Sequence, residues 1–439
     1  MHALHRAVSA AELGTRAGQV VAVRGQMVEA SGPAAHIGER CRIEAQPESA
    51  SIEAEVVGFG EGVVVLMPLG SLQGVSLGQR VVALGRSSDI PVGPALLGRV
   101  IDSFGRPVDD RGRLAVMERR GLRAKPIPAM RRQRVDTALE TGVKVIDSML
   151  TLAKGQRVGL FAGSGVGKSS LMGMMARGTS AAVKVIALIG ERSREVREFV
   201  EDQLGEEGLA RSVVVVATAD EPAVVRSTAA YAATTIAEYF RDQGEDVLLM
   251  MDSLTRFAMA RREIGLSAGE PPTARGYTPS VFSELPQLCE RSGPGPQRGS
   301  ITGIYTVLVD GDDMNEPVAD TLRATLDGHV VLSRDIANAG QYPAVDVLQS
   351  VSRLHAQVAD KQSQSAARNV LASCAMFERN RQLIEIGAYK SGVSQELDHA
   401  VNVMPRIREF FSQSTAELFR REHSLARLAQ LSAALASSR

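Results

Sequence analysis

Between Gly18 and Gly85 the apolar residues fall in short runs broken by glycine: Val20 to Val23, Ile52 to Val57, Val63 to Met67 and Val81 to Leu84. In the second run Ile52, Ala54 and Val56 alternate onto one face. Short strands at this spacing, with glycine-rich turns between them, predict a small β-barrel, in which closure removes the edges that an open sheet would expose. Ahead of it, Leu4, Val8 and Leu13 stand among small and polar residues, a pattern that fits a short amphipathic helix and a frayed terminus equally well. The Pro/Gly segment Asp89-Ile-Pro-Val-Gly-Pro94 marks the next boundary.

Beyond it the period changes. Largely apolar runs at Val158 to Phe161, Val183 to Ile189, Val213 to Ala217, Val247 to Met251, Ile301 to Val309 and Val330 to Leu332 read as strands, Val247 to Met251 without interruption. Helical stretches separate them, among them Leu171 to Met175, about Arg194 to Leu204, and a segment that starts near Pro222, at a first-turn position, and stops before Gly244. Strands that are largely apolar and separated by helices predict a parallel sheet covered on both faces. From about Ala366 the strand pattern ceases. Pro405 is expected to open a helix carrying Ile407, Phe410 and Phe411, and Leu418, Leu425, Leu428 and Leu431 follow at helical spacing as a core-packing stripe. Three domains are expected: residues 1–90 as N-terminal segment and barrel, 91–365 as the α/β core, and 366–439 as a helical C-terminal domain.

The most informative stretch follows the first core strand: Ala162-Gly-Ser-Gly-Val-Gly-Lys-Ser-Ser170. It comprises Ala162, Gly163, Ser164, Gly165, Val166, Gly167, Lys168, Ser169 and Ser170, set between a strand and a helix, which is the context of a phosphate-binding loop. Glycines let successive backbone N–H groups turn inward around phosphate oxygens, and the helix adds its positive N-terminal end. Lys168 would reach the β- and γ-phosphates, and the Ser169 hydroxyl would be placed on Mg²⁺. Ala162 replaces the first glycine of G-x-x-x-x-G-K-[ST], which a small residue with negative φ can do. A glycine-rich turn with a chance lysine is the blander alternative, and the strand before and helix after weigh against it.

Composition narrows the classes. Over 439 residues lysine plus arginine equals aspartate plus glutamate, so the formal net charge of zero argues against a strongly basic nucleic-acid footprint. Cys41, Cys289 and Cys374 lie far apart and suggest neither a disulfide framework nor a zinc site, but buried thiols in a reducing compartment. The seven histidines never cluster at ligand spacing. The N-terminus lacks the apolar core of a signal peptide, and no run approaches a membrane span.

Two acids stand where a parallel sheet presents groups to its ligand. Asp252 ends the strand Val247 to Met251 and could hold Mg²⁺, through water, or cap a helix. Paired with the loop, the metal role is favoured. Glu191 follows Val183 to Ile189 and Gly190 at the same edge and could polarise an attacking water. Arg192 and Arg194 beside it could meet phosphate or surface acids.

Four ordered motifs carry a family resemblance: the loop Ala162 to Ser169, Gly190-Glu-Arg-Ser-Arg-Glu195, Leu248-Leu-Met-Met-Asp-Ser-Leu-Thr-Arg-Phe257 and Tyr342-Pro-Ala-Val-Asp-Val-Leu-Gln-Ser-Val-Ser-Arg353. Together with Leu97-Gly-Arg-Val-Ile-Asp102 and Thr141-Gly-Val-Lys-Val-Ile-Asp147, the chain resembles the catalytic subunit of rotary ATP synthases, and more closely the ATPases of flagellar and type III protein export. The resemblance implies an α/β fold class, a RecA-like P-loop NTPase core with an N-terminal β-barrel and a C-terminal helical domain, using ATP and Mg²⁺. It implies that Glu191 is the catalytic glutamate, Arg192 a γ-phosphate contact, Arg353 an arginine finger reaching a neighbour's nucleotide, and Tyr342 the aromatic on adenine. Where ATP synthase subunits supply a second adenine-pocket aromatic, this chain has Ser414 and Thr415, so its base pocket is expected to be more polar.

The expected function is ATP hydrolysis energising flagellar type III export. The implied assembly is a homohexameric ring, with stalk and negative-regulator proteins, an export gate at the inner membrane, and exported substrates and chaperones as partners. Its place would be cytoplasmic, peripheral to the inner membrane at the flagellar base. Ile386-Gly-Ala-Tyr-Lys-Ser391, in place of an acidic rotor-contacting segment, looks more like the flagellar than the virulence branch. A virulence-type type III secretion ATPase is the alternative, and a hexameric RNA helicase a more remote one. Gly18 to Gly85 has a single aromatic, Phe59, and no basic cluster for stacking bases. A non-catalytic ring subunit would have no need of Glu191.

Overall fold

The computed structural model describes residues 16–45, 51–115, 117–309, 311 and 313–437. The N-terminal stretch with Leu4, Val8 and Leu13 lies outside the described residues. The short apolar runs become six strands: β1 (Ala17–Arg24), β2 (Met27–Ala30), β3 (Glu39–Ile43), β4 (Ile52–Gly60), β5 (Val63–Pro68) and β6 (Arg80–Ser87). They close in the order β1-β2-β5-β4-β3-β6. Alternate residues, Val20, Val28, Cys41, Ala54, Val56 and Leu66 among them, point inward and fill the barrel.

The connecting segment contributes β7 (Asp89–Val92), which pairs with β9 (Glu118–Gly121), and β8 (Arg99–Asp102), which joins the core sheet. The remaining strands are β10 (Arg157–Ala162), β11 (Val183–Glu191), β12 (Ser212–Thr218), β13 (Asp246–Asp252), β14 (Gly293–Pro294), β15 (Ser300–Leu308), β16 (Gly328–Leu332) and β17 (Val345–Ser352). The sheet runs β17-β16-β10-β15-β13-β11-β12-β8, with β14 paired off β15. Every neighbouring pair from β16 to β8 is parallel, whereas β17 is antiparallel to β16.

The largely apolar runs are explained by two covered faces. Along β11, Val185, Ala187 and Ile189 enter one core and Ile186 and Leu188 the other; along β13, Val247, Leu249 and Met251 alternate with Leu248 and Met250 in the same way.

The helices are α1 (Lys168–Gly178), α2 (Ser193–Glu198), α3 (Gly205–Ala210), α4 (Ala223–Asp242), α5 (Leu254–Ser267), α6 (Pro279–Glu290), α7 (Pro317–Thr325), α8 (Arg334–Asn338), α9 (His355–Val358), α10 (Lys361–Arg379), α11 (Arg381–Glu385), α12 (Gln395–Phe411) and α13 (Arg421–Ser437). The helix expected from about Arg194 to Leu204 is α2 followed by a wider π-type turn over Phe199–Leu204, and α3 continues the segment. Pro222 stands one residue before the helix as its N-cap. Among the described residues no helix is long and apolar enough to cross a membrane.

Pro405 does not open a helix. It lies inside α12, whose start is set by the Ser394 hydroxyl accepting the Leu397 N–H, with Glu396 and Asp398 in the first turn. Leu397, Ala400, Val403, Ile407 and Phe410 keep one buried stripe across the proline. Packing of that stripe outweighs the one backbone hydrogen bond that proline forfeits. Leu418 likewise precedes α13 instead of joining it and is about half exposed.

A turn at Thr141–Gly142 ties the phosphate-loop helix to the C-terminal helices. The Asp147 carboxylate accepts hydrogen bonds from the Thr141 N–H (2.9 Å), the Thr141 hydroxyl (2.7 Å) and the Gly142 N–H (3.1 Å). Burial nevertheless pushes its pKa up to about 7. The Gly142 carbonyl accepts from the buried Gln413 amide (2.9 Å), and the Gln413 oxygen accepts the Lys144 N–H (2.8 Å). Gly142 has φ +76°, and a Cβ there would lie 2.7 Å from the Gly178 Cα at the end of α1. Gly142→Ala should therefore lose at least about 2 kcal/mol from left-handed strain and the backbone clash together. A thermal melt within error of the parent would show that this approach is not required.

Candidate nucleotide site

The site forms at the C-terminal edge of β10, β15, β13 and β11. Ala162 ends β10 in strand geometry, so its φ is negative as the loop requires. Gly165 (φ +78°) and Gly167 (φ +92°) take left-handed conformations, and Gly167 is the N-cap of α1. Val166 is buried beneath the loop, while Ser164, Gly165 and Ser169 are exposed along it and Ser170 is half-buried. The fold thus presents the helix N-terminus and the loop backbone outward, as an anion cradle needs.

Parallel register brings residues distant in sequence to one place. The Lys168 ammonium lies 2.5 Å from Asp252 Oδ1 and 3.7 Å from Glu191 Oε1. Asp252 Oδ1 also accepts the Thr306 hydroxyl (2.7 Å), from the strand between β10 and β13. Burial raises the Glu191 pKa to about 7, the Asp252 charge adds to this, and Lys168 opposes it. Glu195 completes the carboxylate group by hydrogen bonding to Glu191. Two carboxylates thus share one ammonium.

The N-cap reading of Asp252 does not hold, because Ser253 fills that place and its hydroxyl accepts the Arg256 N–H (3.2 Å). Sequence reasoning overlooked Thr306 and Arg256. Thr306 was one of two threonines, with Thr302, inside the run Ile301 to Val309. Arg256 packs its stem at Gly190 (φ +69°), where a Cβ would lie 3.0 Å from it, and its Nε is buried without a hydrogen-bond partner. A buried, unpaired guanidinium nitrogen beside this edge suits an anionic ligand.

Ser169 and Asp252 offer hard oxygens, the donor type Mg²⁺ prefers. Among the described residues no group of three or more His, Cys, Asp or Glu could hold a metal ion by itself. The donors fit a Mg²⁺ that takes the rest of its shell from phosphate and water.

The other predicted residues are distributed in two ways. Tyr342 is half exposed, and its ring stands 3.5 Å from where a Gly167 Cβ would be. Its carbonyl accepts the Gln413 N–H (2.8 Å), and the Thr415 carbonyl accepts from Arg177 on α1 (2.7 Å). Ser414 is exposed in the same turn. Tyr342 is therefore beside the loop, Ser414 lies in the turn bonded to it, and Thr415 is tied to the far end of α1. Arg192 is not drawn in: its side chain is exposed at the start of α2 and pairs with Glu195 (3.2 Å).

Arg353 lies elsewhere altogether. Ala162 pairs with Leu332, Leu332 with Val345, and Gly328 with Ser352, so Arg353 follows β17 at the opposite edge of the sheet. β17 bulges between Asp346 and Val351, and the four steps from Leu332 to Gly328, at about 3.3 Å per residue, put its end roughly 13 Å from the level of its own phosphate loop, with Arg353 one residue further. Its guanidinium rests on the Arg323 carbonyl (3.2 Å). Asp346, the surface acid that could have paired with it, is engaged by Leu348 and Gln349.

Comparison with known proteins matches three stretches of the chain. Residues 20–85 match the beta-barrel domain of the ATP synthase alpha/beta family, residues 142–352 its nucleotide-binding domain, and residues 359–430 the T3SS EscN ATPase C-terminal domain. The flagellum-specific ATP synthase of Bacillus subtilis (strain 168) is 52% identical over 417 residues, 95% of each chain. A type 3 secretion system ATPase of Xanthomonas euvesicatoria is 49% identical, over 96% of this chain and 95% of that one. Among solved structures, the assembled ATPase EscN from enteropathogenic E. coli superimposes with a TM-score of 0.90 alone and 0.87 with its central stalk EscO. Both are 43% identical and cover 94% of this chain and 100% of theirs. The chain belongs to the ATP synthase alpha/beta family and, within it, to the flagellum-specific ATP synthases and type 3 secretion system ATPases.

Proposed function

We propose that this chain hydrolyses ATP as one subunit of a head-to-tail homohexamer and energises protein export through a flagellar type III apparatus. The observation that carries the reading is the separation of Lys168, Asp252 and Glu191 at one edge of the sheet from Arg353 at the other. One chain then holds half of each of two sites, which suits a ring in which every interface completes one. Lys168 and the loop amides bind the phosphates, Tyr342 lies against the base, and Glu191 takes up the attacking water's proton. Arg353 of the next subunit meets charge spreading over the transferred phosphoryl group. Ser169, and Asp252 through water, would hold Mg²⁺, which would supply neutralisation of phosphate charge. Arg192 swings from Glu195 to the γ-phosphate when nucleotide binds.

Ser414 and Thr415 make the base end of the pocket polar, so discrimination for adenine rests mainly on Tyr342. A stalk protein is the expected partner in the ring, as for EscN with EscO. The exposed Ile386 and Val393 at the tip of the C-terminal helices offer it an apolar contact. Chaperones, substrates, a negative regulator and the export gate are further partners, and the ring works in the cytoplasm against the inner membrane. A virulence-type system is the second reading, favoured by the Xanthomonas relative. Deleting the gene separates the two. Non-motile cells with normal effector secretion support the flagellar role, and motile cells lacking effector secretion overturn it.

Glu191→Gln tests the chemistry. The amide keeps the shape but cannot accept the proton, so turnover should fall on the order of 10²-fold with ATP affinity retained. In the parent, protonation below about 7 removes the base, so turnover should climb as pH rises through that value. The Gln variant should lack that climb. Equal loss of affinity and turnover, or an unchanged pH profile, would make Glu191 structural.

A further inference from the structure

We propose that Asp327 is a positioning residue for the arginine finger, fixing the Arg353 backbone to the first residues of β10, the strand whose far end carries the phosphate loop. The proposal rests on the trans role of Arg353. Asp327 stands between α7 and β16, and each of its polar groups is committed to the same few partners. Its carboxylate accepts the Arg157 backbone N–H and Nε on Oδ2, both at 3.0 Å, and Arg157 Nη2 on Oδ1 at 3.0 Å. Its own N–H donates to the Arg157 carbonyl (2.8 Å). Its carbonyl accepts the Arg353 N–H (3.0 Å) and the Gln156 amide (3.3 Å).

Gln156, fully buried, completes the clamp. Its Nε2 also donates to the Ser352 hydroxyl (3.1 Å), and its oxygen accepts the Ala153 N–H (2.9 Å). Next to Asp327, Gly328 lets the two last strands close tightly, since a Cβ there would lie 2.5 Å from the Val351 carbonyl. The Arg353 side chain is itself exposed, and among the described residues its hydrogen bond is to the Arg323 carbonyl near the end of α7. A long exposed arginine can deliver its charge to a neighbour only if its root is held. Here the root is held by Asp327, and Asp327 by the two-pronged contact from Arg157. Misplacing a reacting group by about 1 Å can lower a rate up to about 10²-fold, which sets the scale of the effect.

The test is Asp327→Asn, which keeps size and backbone but gives up the charge that Arg157 grips. With melting temperature and ring assembly measured alongside, turnover should fall about 10- to 100-fold while ATP affinity stays at the parent value. The direction of the defect is then read in mixed rings with Lys168→Ala chains. An Asp327→Asn chain still has an intact loop, and a Lys168→Ala chain still has a well-held finger. Roughly a quarter of interfaces should therefore be productive, and activity should return. Arg353→Ala mixed with Lys168→Ala serves as the reference. If the reference recovers and the Asp327→Asn mixture does not, Asp327 braces its own loop and the proposal is overturned. If the reference itself stays silent in proven mixed rings, the trans reading of Arg353 falls first. Parent-like turnover of Asp327→Asn, or weakened ATP binding, also overturns the proposal. Should Asp327→Asn fail to assemble, Arg157→Lys retains the charge without the fork and must give the same pattern.

Discussion

Lys168→Ala is expected to abolish Mg²⁺-dependent ATP hydrolysis while leaving the chain folded. The lysine sits at the start of α1, and its ammonium is the counter-charge that Asp252 and Glu191 share. Removing it deprives the phosphates of their closest cation and leaves two carboxylates facing each other, so Glu191 should hold its proton to still higher pH. That protonation limits the loss of stability, because the variant can neutralise one acid. Far-UV circular dichroism should therefore match the parent while a phosphate-release assay reads zero. Parent-like turnover would remove the loop from the mechanism.

Arg353→Ala should be nearly inactive as well, although the residue lies far from the loop of its own chain. An arginine offered to the phosphoryl transition state is worth roughly 10³-fold or more in rate, and a surface arginine paired to nothing essential is worth almost none. Mixing Arg353→Ala with Lys168→Ala chains, each inactive alone, distinguishes trans from cis action. Random assortment in a head-to-tail ring joins an intact loop to an intact arginine at roughly a quarter of interfaces, so hydrolysis should reappear. No recovery in rings shown to be mixed would count against a trans finger, unless firing must pass through every site in turn. A doping series exposes that exception, since activity would then fall more steeply than the fraction of damaged sites.

The parts of this fold that could be read from the chain are those whose signal is local. β10, the loop and α1 follow one another in sequence, and strands such as Val247 to Met251 announce two-sided burial by having no polar residue. Less legible was β17, an edge strand whose exposed Leu348, Gln349 and Val351 follow no period of two because it bulges between Asp346 and Val351. β8, only four residues long, is a strand because β12 lies beside it. Pro405 misled because proline's local preference was overridden by a buried stripe running past it. Within the site, the positions of Lys168, Asp252 and Glu191 were foreseeable one by one. Their pairing was not, since Lys168 and Asp252 are 84 residues apart and meet only through sheet order. Arg256 was hidden for a similar reason, as its role depends on the left-handed turn at Gly190 that lets its stem approach.

The placement of loop and finger at opposite ends of one sheet has a consequence for supply. On this reading a lone chain is correctly folded, can hold nucleotide, and still owns no complete catalytic centre. Capacity for turnover then scales with how often chains meet, not with how many have been made. Dilution silences the protein without unfolding it, and gathering chains at one spot switches it on without any covalent signal. A cell with such a subunit can stockpile it at little expense in ATP and release its activity only where a membrane-bound base collects enough copies to close a ring.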